Sequence, residues 1–172
     1  VISSCNDCVF EANTVIYPSG HGIKSNSSSG TTIEDNTINI GAYGMEVASG
    51  DSLEITNNTI TGFSSYGIRF ESTSHTSIHN NSLVSSPGGH SNNYGIYNGN
   101  TNSFQNMVYA NDIHILNANN TVEGIRASNA GVYDNTIIID DGGSENFGIR
   151  GEQNTIYNNM ITQTSQSNGY AI

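Results

Sequence analysis

Apolar residues in this chain fall in short alternating runs, and the runs themselves recur. Seven segments place an asparagine three residues after an apolar residue and a second apolar residue two further on: FEANTV, IEDNTI, ITNNTI, IHNNSL, VYANDI, VYDNTI and IYNNMI. Their asparagines are Asn13, Asn36, Asn58, Asn81, Asn111, Asn135 and Asn159, spaced by 23, 22, 23, 30, 24 and 24 residues. A second element keeps phase with the first. It reads HGI at 21–23, YGM at 43–45, YGI at 66–68 and 94–96, EGI at 123–125, FGI at 147–149 and YAI at 170–172. Asn, Ser, Gly, Thr and Asp interrupt every run, which predicts short strands and turns rather than helices. A fixed period of this length marks a repeat architecture. One turn of 22–30 residues accommodates about three strands, so the expectation is an all-β solenoid of about seven coils, with residues 1–172 forming a single domain.

Stacking gives the repeated asparagine a structural role. Equivalent residues on adjacent coils lie about 4.8 Å apart, close enough for a column of amides to hydrogen-bond from coil to coil. Asn also tolerates the left-handed backbone of a tight turn, and the ladder asparagines are expected to use that tolerance. The paired apolar-x-x-Asn-x-apolar and (Tyr/Phe)-Gly-Ile elements resemble the right-handed parallel β-helix repeat of the pectin-lyase-like superfamily over essentially the whole chain. That resemblance implies the fold. Its members include polysaccharide lyases, epimerases, hydrolases, phage tailspikes and surface adhesins, so it leaves the activity open.

Composition narrows the partners. Apolar residues make up 34% of the chain and Trp is absent, too little for a thick globular core but enough for a solenoid, in which each coil buries its neighbour. With Lys+Arg 4 against Asp+Glu 15, the net charge is −11. Nucleic acid is therefore excluded as a partner, because phosphate neutralisation needs many basic side chains. No apolar run approaches the roughly 20 residues of a spanning helix, and no membrane insertion is expected. The acidic, Lys-poor, Asn/Ser/Thr-rich composition fits an extracellular, cell-surface or virion setting. Cys5 and Cys8 flank an Asn-Asp turn; they form a structural disulfide or remain free thiols, and lack the further ligands of a zinc site.

Aligned repeats can be read as columns. The residue after each Gly-apolar pair is Lys24, Glu46, Arg69, Tyr97, Arg126 and Arg150, which gathers all four basic residues into one outward column. Charges alternating along it can pair between coils; alternatively Tyr97, Arg126 and Arg150 line a groove for a polysaccharide or cell-surface glycan. A second column, Glu11, Glu34, Thr56, His79, Tyr109, Tyr133 and Tyr157, ends in three consecutive tyrosines. These form a ladder among themselves or a platform for sugar rings. Ice binding, a further alternative, would use flat Thr rows, and the row Thr14, Thr37, Thr59, Ser82, Asp112, Thr136 and Met160 supplies one broken column of that kind.

The turns between the Asn element and the next Gly element lengthen in the later coils, and long turns carry function. They bring His90, His114, Asp140, Asp141 and Glu145 toward one side as candidate catalytic groups. Asp140, Asp141 and Glu145 also form a candidate Ca²⁺ site, and a carboxylate pair there would suit glycoside hydrolysis. The only lysine, Lys24, is distant along the stack, and no assembled lyase motif is visible. Val1 and Ile172 fall near the same phase of the repeat with no capping segment, as expected of a piece of a longer solenoid or of copies associating end to end or as trimers. The expected function is a rigid structural or adhesive scaffold that contacts carbohydrate, with a polysaccharide lyase or glycoside hydrolase as the alternative.

Overall fold

The computed structural model describes the chain except at residues 1, 18, 89, 101, 102, 117, 141, 142 and 165–167; at residues 2, 17, 90, 91 and 118 the backbone alone is described. The described residues form no helix. Twenty-two short strands wind into three parallel sheets, three strands to a coil. The first sheet has eight strands: β1 (Ile2–Ser3), β4 (His21–Asn26), β7 (Tyr43–Ala48), β10 (Tyr66–Glu71), β13 (His90–Tyr97), β16 (Ala118–Arg126), β19 (Glu145–Arg150) and β22 (Asn168–Tyr170). The second has seven: β2 (Val9–Glu11), β5 (Thr32–Glu34), β8 (Glu54–Thr56), β11 (Ser77–His79), β14 (Asn106–Tyr109), β17 (Ala130–Tyr133) and β20 (Thr155–Tyr157). The third also has seven: β3 (Thr14–Tyr17), β6 (Thr37–Ile40), β9 (Thr59–Phe63), β12 (Ser82–Ser85), β15 (Asp112–Leu116), β18 (Thr136–Asp140) and β21 (Met160–Gln163).

The strand register aligns the repeats as the sequence period does. Ile23, Met45, Ile68, Ile96, Ile125 and Ile149 pair in succession along the first sheet. Ile33, Ile55, Ile78, Val108 and Val132 do so along the second, and Ile38, Ile60, Leu83, Ile113 and Ile137 along the third. All of these residues are buried and belong to one continuous core. Three inward columns therefore meet along the axis, and each coil covers the next. This is how a chain only one-third apolar buries a sufficient core.

The asparagine ladder runs at the turn between the second and third sheets. Each ladder Asn within the stack donates from Nδ2 to the next Asn Oδ1, as Asn58 does to Asn81 at 3.0 Å and Asn111 to Asn135 at 3.0 Å. The same Oδ1 also accepts the preceding ladder residue's backbone N–H, and Nδ2 donates to two carbonyls besides, so the buried amide is fully satisfied. One expectation needs correction. The left-handed residue of this turn is the one before the ladder Asn: Ala12, Asp35, Asn57, Asn80, Ala110, Asp134 and Asn158 have φ between 53° and 56°. The ladder Asn does not carry the positive φ, because its side chain must point inward to reach its neighbours. The strained position one residue earlier turns outward and takes whatever short side chain the coil supplies.

The glycines of the Gly-apolar element are required by close approach. A Cβ on Gly95 would lie 2.5 Å from the Gly124 carbonyl oxygen and 2.5 Å from Ile113 Cγ2. Gly95 and Ile96 are both buried, which breaks strict alternation. Residues 94 and 97 therefore both stand on the outer surface, and the first sheet presents two adjacent outward columns. Near the start of the chain Cys5 and Cys8 form a disulfide.

Candidate functional site

The two outward columns of the first sheet meet in a mixed aromatic and charged band. In the column before the glycines, rings stack from coil to coil: His21 on Tyr43 at 4.6 Å, Tyr43 on Tyr66 at 5.4 Å and Tyr66 on Tyr94 at 5.1 Å between centroids. Tyr97, from the second column, lies edge-on to both Tyr66 and Tyr94 at 4.9 Å. The stack resumes with Phe147 on Tyr170 at 5.1 Å. The coil between holds Glu123 instead of a ring.

Glu123 has no exposed surface. Its Oε1 accepts a hydrogen bond from Arg150 Nη1 at 3.1 Å, and Arg126 Nη1 stands 3.6 Å away. Among the described residues its Oε2 has no hydrogen-bond partner. Burial pushes the carboxyl above the ordinary glutamate value; the two guanidiniums pull against that shift, and Glu145 adds to it. Burial also raises the Tyr94 phenol, with the neighbouring Glu123 carboxylate contributing. Arg126 lies over the Tyr97 ring at 5.5 Å and Arg150 over Phe147 at 4.5 Å, both in cation–π range. An open polar cleft beside them is lined by Asn98, Gly99, Arg126, Ser128, Arg150, Gly151 and Glu152.

At the other end of the same column the charges pair between coils. Lys24 bonds Glu46 at 2.7 Å, and Arg69 approaches Glu46 at 3.8 Å and Glu71 at 2.8 Å. Partial burial pushes the Glu46 carboxyl up, but the hydrogen bonds and charges of Lys24 and His21 outweigh it and hold the group below its ordinary value.

The six sugar-contact candidates divide between two faces. On the first sheet Arg126 and Arg150 meet Glu123, and Tyr97 lies under the Arg126 guanidinium. Tyr109, Tyr133 and Tyr157 lie on the second, where they extend a separate stack from His79 at spacings of 4.6, 5.0 and 4.8 Å. Each inner ring of that stack has both faces covered by its neighbours, so His79–Tyr157 presents ring edges along its length.

The candidate catalytic groups are only partly brought together. His114 on β15 and Asp140 on β18 are neighbours in the third sheet, with Nε2 2.6 Å from Oδ2; Asp140 Oδ1 accepts a bond from Thr164 at 2.8 Å. These bonds hold the Asp140 carboxyl below its ordinary value. Glu145 opens β19 on the first sheet. Asp141 lies outside the described residues, as does the side chain of His90. Among the described residues no three His, Cys, Asp or Glu side chains converge as a metal site would require. The His114–Asp140 pair also has counterparts elsewhere: His21–Glu46 at 2.8 Å, His75–Asp51 at 2.9 Å and His79–Glu54 at 3.2 Å each join adjacent coils. An inter-coil histidine–carboxylate contact is thus a recurrent device of this stack.

Sequence reasoning missed Glu123. Its signal was present, since EGI is the one acidic member of an otherwise aromatic column of Gly elements.

Comparison with known proteins agrees with this architecture. The chain resembles DFA-IIIase from Arthrobacter chlorophenolicus A6, with a TM-score of 0.70 at 14% identity over 99% of this chain and 43% of that one. A mutant of the same protein in complex with DFA-III gives 0.68 at 13% identity, again over 99% and 43%. At such identities the likeness is one of fold alone, and this chain spans less than half the length of the DFA-IIIase it matches. The Streptococcus pneumoniae surface protein and adhesin PfbA superposes with a TM-score of only 0.45 at 11% identity, over 98% of this chain and 68% of that one. No curated protein matches. The family model described as the right handed beta helix region matches residues 1–87, half of the chain, and the chain belongs to that family.

Proposed function

We propose that this chain is a rigid β-helix module, extracellular or on a virion surface, that contacts carbohydrate along the outer face of its first sheet. The observation that carries the reading is the pairing of Arg126 and Arg150 with Glu123, with Tyr97 under Arg126, beside a cleft lined by amide, hydroxyl and charged groups. Sugars are recognised by aromatic surface combined with a few convergent hydrogen-bonding groups, and this band supplies both. Tyr97, Arg126 and Arg150 each end a strand of the first sheet, which preorganises the contact surface. The enzymatic alternative, a polysaccharide lyase or glycoside hydrolase, gains no specific support, because His114–Asp140 repeats a pairing found at three other histidines.

A panel of soluble polysaccharides tested against the purified chain examines this reading. Binding by the wild type that falls about tenfold in Tyr97→Ala or Arg126→Ala supports it; loss of one interfacial anchor has this order of effect. Absence of binding to any glycan refutes the contact. New reducing or unsaturated ends on incubation, with and without Ca²⁺, would instead establish the enzymatic alternative.

A further inference from the structure

The stacked column of the first sheet is interrupted for a single coil. Tyr66 covers one face of Tyr94, and Tyr170 covers one face of Phe147. The other faces of Tyr94 and Phe147 are turned toward each other across the coil that holds Glu123. Two coil spacings separate them, about 10 Å, which leaves room for one ring stacked on both. The notch has a carboxylate at its base, fully buried, with one oxygen that accepts no hydrogen bond among the described residues.

A side chain of this protein already fills the notch. The Arg150 guanidinium, planar and cationic, lies over Phe147 at 4.5 Å and bonds Glu123 at 3.1 Å. It is nevertheless 45% exposed and reaches in from the neighbouring outward column, so it can swing out without disturbing the core. Its chemistry shows what the notch selects: a flat or ring-shaped body between aromatic faces, carrying positive charge toward Glu123. The whole chain reinforces that selection, since a net charge of −11 repels polyanions and attracts cations.

We infer that the Tyr94–Glu123–Phe147 notch is a subsite for one ring of a cationic, amino-sugar-containing glycan, and that Arg150 is an internal occupant which the ligand displaces. The inference rests on the carbohydrate-contact reading above and specifies the glycan class and the ring position. The ring stacks between Tyr94 and Phe147, its ammonium donates to Glu123, and Arg126 stays beside the carboxylate on the Tyr97 side. Arg150 lowers apparent affinity by the fraction of time it occupies the notch, so its removal tightens binding.

Titration calorimetry with a glucosamine tetramer, its amines protonated, and with the N-acetylglucosamine tetramer tests this. Arg150→Ala should bind the glucosamine tetramer about tenfold more tightly than the wild type, as expected for a competitor bound nine-tenths of the time. The double variants with Phe147→Ala or Glu123→Gln should lose the gain, and the acetylated tetramer should show none. Arg150→Gln, which keeps a hydrogen bond to Glu123 and removes the charge, provides a second variant if the alanine form folds poorly. In the wild type, the aromatic resonances of Tyr94 and Phe147 should move on titration with the glucosamine tetramer. Unchanged or weaker binding by folded Arg150 variants, an equal gain for the acetylated tetramer, or unmoved resonances would overturn the inference. If neutral glycans still bind through Tyr97 and Arg126, the subsite fails while the contact surface stands. If no glycan binds any form, both fail.

Discussion

Replacing Asn81 by Asp tests the ladder with an almost isosteric change. Asn81 Oδ1 accepts from the Asn58 backbone N–H and from Asn58 Nδ2, both at 3.0 Å. Its Nδ2 donates to the Ile55 carbonyl at 2.9 Å, the His79 carbonyl at 3.0 Å and Asn111 Oδ1 at 3.0 Å. Aspartate keeps the two accepted bonds and loses all three donated ones, leaving three oxygens facing a new oxygen at close range. The amide has two N–H donors shared among these three acceptors, so at about 1 kcal/mol for each donor the cost is about 2 kcal/mol, before the burial of an unpaired charge is added. For a chain of this size each kcal/mol lowers Tm by about 2–4 °C, so Asn81→Asp should melt at least about 4 °C lower by circular dichroism. Asn159→Asp is the internal comparison. Asn159 is half-buried and, among the described residues, donates to the Val132 and Tyr157 carbonyls, where water can substitute, so its loss should be smaller. The carboxyl introduced by Asn81→Asp, surrounded by oxygens, has its folded pKa raised. The stability it retains is present below the ordinary aspartate value and lost as pH rises through the folded value, so the deficit should shrink on acidification. If Asn81→Asp and Asn159→Asp melt together at neutral pH, the buried amide ladder is not what holds adjacent coils.

Other expected outcomes follow from the same geometry. Ala110→Gly should stabilise by about 0.5–1 kcal/mol in denaturant melts, because exposed Ala110 sits at φ 53°, where a Cβ is strained; a loss of stability would contradict the strain. Gly95→Ala should prevent cooperative melting or lower Tm more than any ladder variant, since its Cβ meets a backbone oxygen and a core Ile at 2.5 Å; a wild-type melt would show that the coils can separate. Burial raises the Glu123 carboxyl, so the stability tied to its protonated form is present below the ordinary glutamate value and lost as pH rises through the folded value. Glu123→Gln should therefore gain on the wild type in melting experiments as pH rises above the ordinary glutamate value, and a difference independent of pH would remove the burial argument.

The solenoid was legible in the sequence because parallel stacking converts a sequence offset into a spatial neighbour. Asn58 and Asn81 differ by one period and bond at 3.0 Å, and Lys24 and Glu46 are likewise one period apart and bond at 2.7 Å. Within a column, offset alone predicts contact. The turn was less legible. Both an inward amide and a left-handed backbone favour asparagine, and only coordinates separate the two roles, which fall on Asn81 and Asn80 respectively. Ring orientation was not legible either. A run of tyrosines at fixed offset suits a platform or a stack equally, and the sequence does not reveal that the planes of Tyr109, Tyr133 and Tyr157 lie nearly parallel, each ring on the next.

The Glu123 site escaped the column reading for a further physical reason. Gly124 and Ile125 are both buried, so strict alternation is broken and the positions before and after them both belong to the outer face. Arg126 on the same strand and Arg150 one coil on then reach a carboxylate in a different column. A column-by-column reading treats Arg126 and Arg150 as part of a solvent-facing charge row and Glu123 as one variant letter in an aromatic one. The substitution has meaning only when the columns are joined: a missing ring leaves two aromatic faces open, the carboxylate supplies their charge, and an arginine from the adjoining column fills the vacancy. In a parallel solenoid, an odd residue in one column is thus best interpreted with the residues three positions on in its own coil and in the next.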